Sequence, residues 1–254
     1  MTGAGPIAVL LADSGIEREF LARLPLAALV NAAVAALAYA TRTVSFSGAV
    51  GGVAVGSLVW ASLDWRGFAV LAAFFALGSA ATKLGYARKS ALGIAEKGGG
   101  RRGASNALAK GGVGVAAALV FAATGWPPLL VAYVAAFATA ASDTIGSELG
   151  QLYGKHPVLI TSLKRVPVGT EGAVSIEGTL FGVAASAAVG LLGVAVSLHG
   201  WAGLFCVVAG AFAGTTFESY LGATVEGAKG IGKSTTNFLL TLTGAAVGGL
   251  LAMI

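Results

Sequence analysis

Three carboxylates lie within otherwise apolar stretches of the sequence, where they could bind a metal ion. Asp143 and Glu148 fall in the stretch 141–150, and Glu218 falls in the stretch 214–222. A carboxylate inside a membrane helix is costly, so it normally faces a cavity, a partner or an ion. Mg²⁺ takes oxygen ligands and is often held by one or two carboxylates together with substrate phosphates. The pattern therefore predicts a Mg²⁺ site formed by Asp143, Glu148 and Glu218.

Hydroxyl side chains accompany these acids at helical spacing. At about 100° per residue, Ser147 lies about 40° from Asp143 around a helix, and Ser219 directly follows Glu218. We expect both serines to support the metal ligands. The alternative is that the acids form structural ion pairs with Lys110, Lys164 or Arg165. Three acids at one membrane depth favour a functional site over three separate ion pairs.

A glycine-rich basic segment follows the third apolar stretch and could bind phosphate. Lys97, three glycines, Arg101 and Arg102 precede Asn106 and Lys110. Glycines let successive N–H groups converge on an anion, while arginine and lysine side chains supply countercharge. The competing interpretation is a flexible loop whose positive charge only orients the protein in the membrane.

Two further connections combine glycine with polar or basic residues. The longest, 150–176, is predicted to contribute phosphate-binding residues and a backbone cradle, and these are Lys164, Arg165, Gly169, Thr170, Gly172 and Ser175. Residues 227–234 match G-x-x-x-x-G-K-S, but a true phosphate loop follows a buried strand, and this motif follows an apolar helix. We therefore expect only that Lys229, Lys233 and Asn237 help to bind phosphate.

The composition identifies the kind of protein that positions these residues. Of 254 residues, 56% are hydrophobic and 11% are charged, where soluble domains have about 25% charged residues. The 39 glycines show no G-X-Y period, which excludes collagen. Glycine permits close approach of helices in lipid. The sequence therefore predicts an all-α, polytopic transmembrane helix bundle and excludes a water-soluble globule.

A bilayer core needs about 20 apolar residues per helix. We predict a single integral membrane domain over 1–254, with an interfacial segment at 1–23 and about eight spans, seven to nine, in the rest of the chain. The predicted spans are 24–41, 46–63, 67–85, 106–124, 128–148, 177–198, 202–222 and 236–253.

The basic residues indicate the orientation. Thirteen of the 16 lysines and arginines lie in connections that eight spans place on one side. By the positive-inside rule this side faces the cytoplasm, so both termini are predicted outside. We thus expect a protein of the plasma (inner) membrane with a cytoplasmic active site. The net charge of +5 is then explained by the orientation of the protein in the membrane and by contact with anionic membrane lipids. No nucleic acid partner is predicted.

Taken together, these blocks resemble an integral-membrane family that includes the phytyl-phosphate kinase of the vitamin E pathway. The resemblance runs from about residue 30 to the end and rests on the motifs at 97–112, 141–150, 167–179 and 214–224 and on Asn237. The family pattern leads us to expect aspartate where this chain has Glu218. The extra methylene changes the reach of the carboxylate and keeps its charge.

This resemblance implies phosphoryl transfer from a nucleoside triphosphate to an isoprenyl monophosphate such as phytyl or geranylgeranyl monophosphate. By analogy with related lipid kinases CTP is the first expectation, with ATP left open. Asp143, Glu148 and Glu218 would hold Mg²⁺ as catalytic residues, together with Lys110 and Arg165. The remaining basic and glycine-rich residues named above would bind phosphates.

Two other functions fit the same residues. A CTP-dependent cytidylyltransferase acting on a lipid phosphate needs the same carboxylates and basic loops. A secondary transporter or lipid carrier could use intramembrane acids as an ion pathway, and it would place polar residues on both faces. Glycine-rich helices are also compatible with a homodimer.

Overall fold

The computed structural model describes residues 16–96, 98–225 and 231–254. In that part of the chain, eight α-helices form an almost entirely helical bundle, which confirms the predicted fold class. They are α1 (Ile16–Ala40), α2 (Phe46–Lys83), α3 (Tyr86–Ala91), α4 (Ala104–Thr124), α5 (Pro128–Tyr153), α6 (Ile176–Ala195), α7 (Trp201–Thr224) and α8 (Lys233–Leu251). Two short strands, β1 (Val158–Leu159) and β2 (Ala173–Val174), pair antiparallel between α5 and α6.

Helix α2 folds back on itself at Asp64. That residue has φ 52° and ψ −159°, which no helix contains. A Cβ atom at Gly48 would strike the backbone of Arg102, and one at Gly78 would strike its guanidinium. In a straight helix, positions 48 and 78 would be about 45 Å apart, so α2 consists of two antiparallel arms. These arms match the predicted spans 46–63 and 67–85.

The bundle therefore contains eight long helical segments within its described residues. Six helices are long and apolar enough to cross a membrane, with α2 counted once. Helix α8, which opens with the polar residues 233–237, is not among those six. Helix α1 begins at Ile16 and passes through the predicted boundary at residue 24 without a break. The rest of the predicted interfacial segment, 1–15, lies outside the described residues.

Helix α5 occupies the centre of the bundle and packs against α2, α4, α6, α7 and α8. Its residues from Tyr133 to Phe137 are fully buried. The Tyr133 hydroxyl donates a hydrogen bond to the carbonyl oxygen of Gly67, 2.7 Å away, which satisfies the polar end of the ring. The central position of α5 holds its carboxyl end, which carries Asp143 and Glu148, in a fixed relation to the neighbouring helices.

Glycines allow the helices around α5 to approach closely. On α7, a Cβ atom at Gly210 would lie 2.5 Å from the carbonyl oxygen of Gly244 and 2.9 Å from the amide nitrogen of Gly248, both on α8. Such contacts require glycine because α-helix backbones meet there without intervening side chains.

This packing predicts that Gly210→Ala destabilises the protein. The added methyl group must push α7 away from α8, an overpacking that costs about 1–3 kcal/mol. We expect a lower midpoint of thermal unfolding in detergent. Gly112→Ala is the matched control, because nothing lies within 4 Å of its added Cβ atom and alanine favours the helix by about 1 kcal/mol. Equal midpoints for the two variants would contradict the close packing.

The connection between α6 and α7 contains a partly buried histidine, His199. Its Nδ1 lies 3.0 Å from the carbonyl oxygen of Gly200, and its Nε2 is buried with no hydrogen-bond partner among the described residues. Burial lowers the pKa of this imidazole below its ordinary value, and the contact with the Gly200 carbonyl partly offsets the shift. The folded protein thus binds a proton at His199 less readily than the unfolded chain does.

We therefore expect a pH dependence of stability from His199. The pKa of His199 is lower in the folded protein than the unfolded value of 6.5. Above pH 6.5 the contribution of His199 to the free energy of unfolding is therefore constant, and below pH 6.5 this free energy falls as the pH decreases. Thermal unfolding midpoints at pH 7.5 and 5.5 should differ less in His199→Gln than in the wild type. His156→Gln, which changes an exposed histidine, should retain the wild-type difference.

Candidate functional site

A cavity of about 440 Å³ lies at one end of the bundle. Its walls come from the carboxyl ends of α5 and α7 and the amino ends of α4, α6 and α8, while the α5–α6 connection covers part of it. Most of the predicted site residues line it, and these are Arg102, Asn106, Lys110, Asp143, Ser147, Glu148, Gly169, Thr170, Gly172, Ser175, Glu218, Ser219, Lys233 and Asn237.

Lys110 and Asp143 form an ion pair in the wall of this cavity. The Lys110 ammonium donates hydrogen bonds to Asp143 Oδ2 at 2.6 Å and to Thr144 Oγ1 at 2.7 Å. The lysine side chain is 7% exposed and the aspartate side chain 12%. A carboxylate oxygen has more than one lone pair, so Asp143 can bind a second cation while it keeps Lys110.

Glu148 pairs with a lysine that the sequence interpretation missed. Lys89 on α3 is fully buried and donates hydrogen bonds to Glu148 Oε2 at 2.5 Å and to the carbonyl oxygens of Ala81 and Thr82. These three acceptors satisfy the three N–H groups of its ammonium. In the sequence, Lys89 is one of several cations in the third connection, and its type and spacing do not distinguish it from Arg88.

Arg102 enters the cavity from the glycine-rich segment. Gly98, Gly99 and Gly100 have φ values of 66°, 72° and 76°, a left-handed run that only glycine adopts readily. The Arg102 amide then donates a hydrogen bond to the Thr43 carbonyl oxygen at 3.1 Å. The three glycines, which were predicted to bind an anion through their N–H groups, do not line the cavity, whereas Arg102 at the end of the same segment does.

The Arg102 guanidinium is only partly paired. Its Nη2 lies 3.5 Å from Thr82 Oγ1, its Cζ lies 5.7 Å from the centre of the Phe74 ring, and its Nη1 is buried with no hydrogen-bond partner among the described residues. Burial lowers the pKa of Arg102 below its ordinary value, although Glu148, Glu96 and Asp143 oppose the shift. The group stays charged at neutral pH, so it can accept an anionic ligand.

The α5–α6 connection is held against the cavity at two glycines. Gly169 and Gly172 both have positive φ, 87° and 73°. A Cβ atom at Gly169 would strike Ile94, and one at Gly172 would strike the backbone of Ala223 at the end of α7. The long loop is therefore folded onto the bundle, where it forms part of the cavity wall.

Other predicted residues lie elsewhere. Arg101, Lys164 and Arg165 are exposed and do not line the cavity. Lys97 and Lys229 lie outside the described residues. Lys233 lines the cavity, and its ammonium lies 3.1 Å from Oε2 of Glu96, which lines it as well. Glu96, Gln151 and Thr82 also line the cavity and were not predicted. No local sequence pattern marks them.

The charges of the cavity bear on whether Mg²⁺ fits. Five carboxylates and three cationic side chains line it, among the residues that the structure describes. An excess of carboxylates repels a bare triphosphate, whereas a divalent ion carried by the phosphates offsets that repulsion. No group of three His, Cys, Asp or Glu side chains in the described ranges is close enough to hold a metal alone. Asp143 and Glu148 line the same cavity, as a Mg²⁺ ion that shared its coordination with a nucleotide would require.

Comparisons with known proteins place this chain in a family. The family model described as "Integral membrane protein DUF92" matches residues 29–250. The chain is 43% identical to the uncharacterized membrane protein sll0875 of Synechocystis over 200 residues, which cover 76% of each protein. It is 31% identical to the uncharacterized membrane protein MJ0933 of Methanocaldococcus jannaschii over 91% of this chain and 94% of that protein.

A third relative is Protein VTE6, chloroplastic, of Arabidopsis thaliana. It is 41% identical over 147 residues, which are 56% of this chain and 44% of the relative. This chain therefore spans less than half of the length of that relative. No solved structure matches the chain.

Proposed function

Because the chain belongs to the integral membrane protein family DUF92, we propose that it is a membrane-embedded isoprenoid-phosphate kinase. It transfers a phosphoryl group from a nucleoside triphosphate, with CTP the first candidate and ATP the second, to phytyl or geranylgeranyl monophosphate. The resemblance to the phytyl-phosphate kinase family and the similarity to VTE6 support this activity. The observation that carries it is the cavity where Arg102, Lys110, Asp143 and Glu148 meet at one end of a membrane bundle.

The residues of the cavity suit phosphoryl transfer. The bond between the β- and γ-phosphates breaks, a new bond forms to a phosphate oxygen of the lipid, and the nucleoside diphosphate leaves. An oxygen of the acceptor phosphate is already anionic, so no strong general base is required. Catalysis then consists mainly of positioning and charge neutralisation.

Two cations that line the cavity, Arg102 and Lys110, take separate parts in this reaction. Arg102 holds the acceptor phosphate, because its Nη1 has a free donor. Lys110 holds Asp143 in place and lies beside the nucleotide phosphates. Mg²⁺ carried by the nucleotide would be held by Asp143 and Glu148 and would supply further neutralisation of the phosphoryl charge. Glu218, the third predicted ligand, lines the same cavity, but no three acids of the described residues form one metal-binding group. The α5–α6 connection reduces hydrolysis by limiting the access of water.

The distribution of charge argues against a transporter. Lys89 and Lys110 are the buried charged residues of the described ranges, and both lie at the cavity end. A transport pathway needs polar groups that reach the other face. In our proposal the cavity faces the cytoplasm, where a soluble nucleotide is available and where positive charge concentrates. In this orientation, the first residue of α1 and the last residue of α8 lie on the side of the membrane opposite to the cytoplasm.

The test is a radiolabel assay with purified protein in detergent and Mg²⁺. CTP or ATP labelled with ³²P at the γ-position is incubated with phytyl or geranylgeranyl monophosphate, and we expect label in a prenyl diphosphate. A parallel reaction uses CTP labelled at the α-position. Transfer of the α-label to lipid, with the γ-label released in pyrophosphate, would instead establish a cytidylyltransferase. Absence of turnover with every prenyl phosphate would refute the isoprenoid-phosphate kinase.

A further inference from the structure

A second, apolar cavity lies beside the polar one. It has a volume of about 300 Å³ and is lined by α1, both arms of α2 and the amino end of α4. Nearly all of its lining is aliphatic or aromatic, including Val34, Val55, Leu71 and Phe75. We call it the apolar groove. In a membrane, such a surface accommodates a hydrocarbon chain without loss of hydrogen bonds.

Two polar residues connect the groove to the polar cavity. Arg102 and Asn106 line both. The Arg102 guanidinium lies over the ring of Phe74, which also lines the groove, and its Nη1 is buried without a partner among the described residues. A hydrocarbon in the groove would thus place an attached anionic group at Arg102, where a buried donor is available.

The groove is accessible from the side. Helix α1 packs mainly against α2, and Val34, which faces the groove, remains 41% exposed. Leu29 and Leu37 on the same helix are exposed as well. In a bilayer these side chains meet lipid, so a lipid molecule can enter between α1 and the rest of the bundle without passing through water.

We propose that the apolar groove binds the isoprenoid tail of the acceptor and that Arg102 and Asn106 bind its phosphate at the junction with the polar cavity. This proposal rests on the proposed kinase function and adds the position in which the acceptor lipid binds. The tail runs between α1, α2 and α4, while the nucleotide occupies the side lined by Asp143, Glu218 and Lys233.

Gly52→Leu tests the groove. Gly52 lines it, and nothing lies within 4 Å of a Cβ atom added there, so the new side chain starts in open space and takes up volume in the groove. Each methylene of the tail that is excluded weakens binding about fourfold. We expect the KM for geranylgeranyl monophosphate to rise about tenfold or more. The KM for the nucleotide and the turnover of five-carbon isopentenyl monophosphate should stay unchanged.

Gly112→Leu is the matched control. It adds the same side chain to α4 at a position that also has open space around its Cβ atom and that lines neither cavity. We expect wild-type constants for both acceptors. If Gly52→Leu behaves like Gly112→Leu while the wild type phosphorylates the long substrate, the groove does not bind the tail.

A second measurement does not depend on turnover. A geranylgeranyl phosphonate with a diazirine at the far end of its tail is photolysed with the protein, and the labelled peptides are identified by mass spectrometry. We expect labels in the segments 31–38 and 68–76, and less labelling in Gly52→Leu. Labels confined to other helices would overturn the proposal. Groove labelling in a protein that phosphorylates no prenyl phosphate would retain the lipid site and refute the kinase function.

Discussion

Asp143→Asn should lower the kinase turnover about 10²- to 10³-fold, the size of effect expected when one electrostatic contact to the transition state is lost. The amide keeps the shape of the side chain and can still accept the hydrogen bond from Lys110, which lies 2.6 Å from Asp143 Oδ2. It has no negative charge for Mg²⁺. The Mg²⁺ concentration that gives half-maximal activity should therefore rise as turnover falls.

Asp64→Asn is the control for this substitution. Asp64 lies at the turn of α2, where it accepts a hydrogen bond from the Arg66 amide at 2.8 Å, and the Oδ1 atom of asparagine can accept the same hydrogen bond. We expect wild-type turnover from it. Full activity and an unchanged Mg²⁺ dependence in Asp143→Asn would show that Asp143 only forms a structural ion pair.

Lys89→Met should reduce the stability of the protein by more than Gly210→Ala does. The variant removes an ammonium that is fully buried and leaves the Glu148 carboxylate, 12% exposed, without its cation. An unpaired buried charge costs about 3–5 kcal/mol. We expect a large decrease in the thermal unfolding midpoint. Arg88→Met, on the same short helix but at an exposed position, should leave the midpoint near the wild-type value.

A double variant separates the two roles of Glu148. Lys89→Met combined with Glu148→Gln removes both charges, so most of the lost stability should return. Its turnover should stay low, because the neutral amide cannot bind Mg²⁺. If the double variant regains stability and full turnover, Glu148 serves the fold alone and does not belong to the reaction.

The helices were largely predictable, because each span is a local property of the chain. Apolar stretches of about 20 residues must form helices in a bilayer, where every backbone N–H and C=O group has to be satisfied within the segment. The boundary between the second and third predicted spans falls at 64–66, where α2 turns at Asp64. The hydropathy pattern indicated that the chain reverses there, but it did not predict the backbone geometry of the turn.

The site was predictable only in part. Asp143 and Lys110 could be recognised because a charged side chain inside an apolar helix is costly and is normally kept for a partner or a function. Lys89, Lys164 and Arg165 all look like loop cations, yet Lys89 is fully buried and the other two are exposed. That difference depends on how α3 packs beside α5, where a Cβ atom at Gly85 would lie 2.6 Å from Leu152. Helices α3 and α5 are separated in the sequence, so the local pattern of either helix does not predict their contact.

The helical membrane bundle and the concentration of basic residues in alternate connections could be inferred from the amino-acid sequence. Both properties follow from the bilayer acting as a solvent on each segment separately. Which charges meet depends on the packing of the helices, because Lys110 and Asp143 are 33 residues apart and Lys89 and Glu148 are 59 apart. Helix packing also places Arg102 between the polar cavity and the apolar groove, because the lining of each comes from helices that are distant in the sequence.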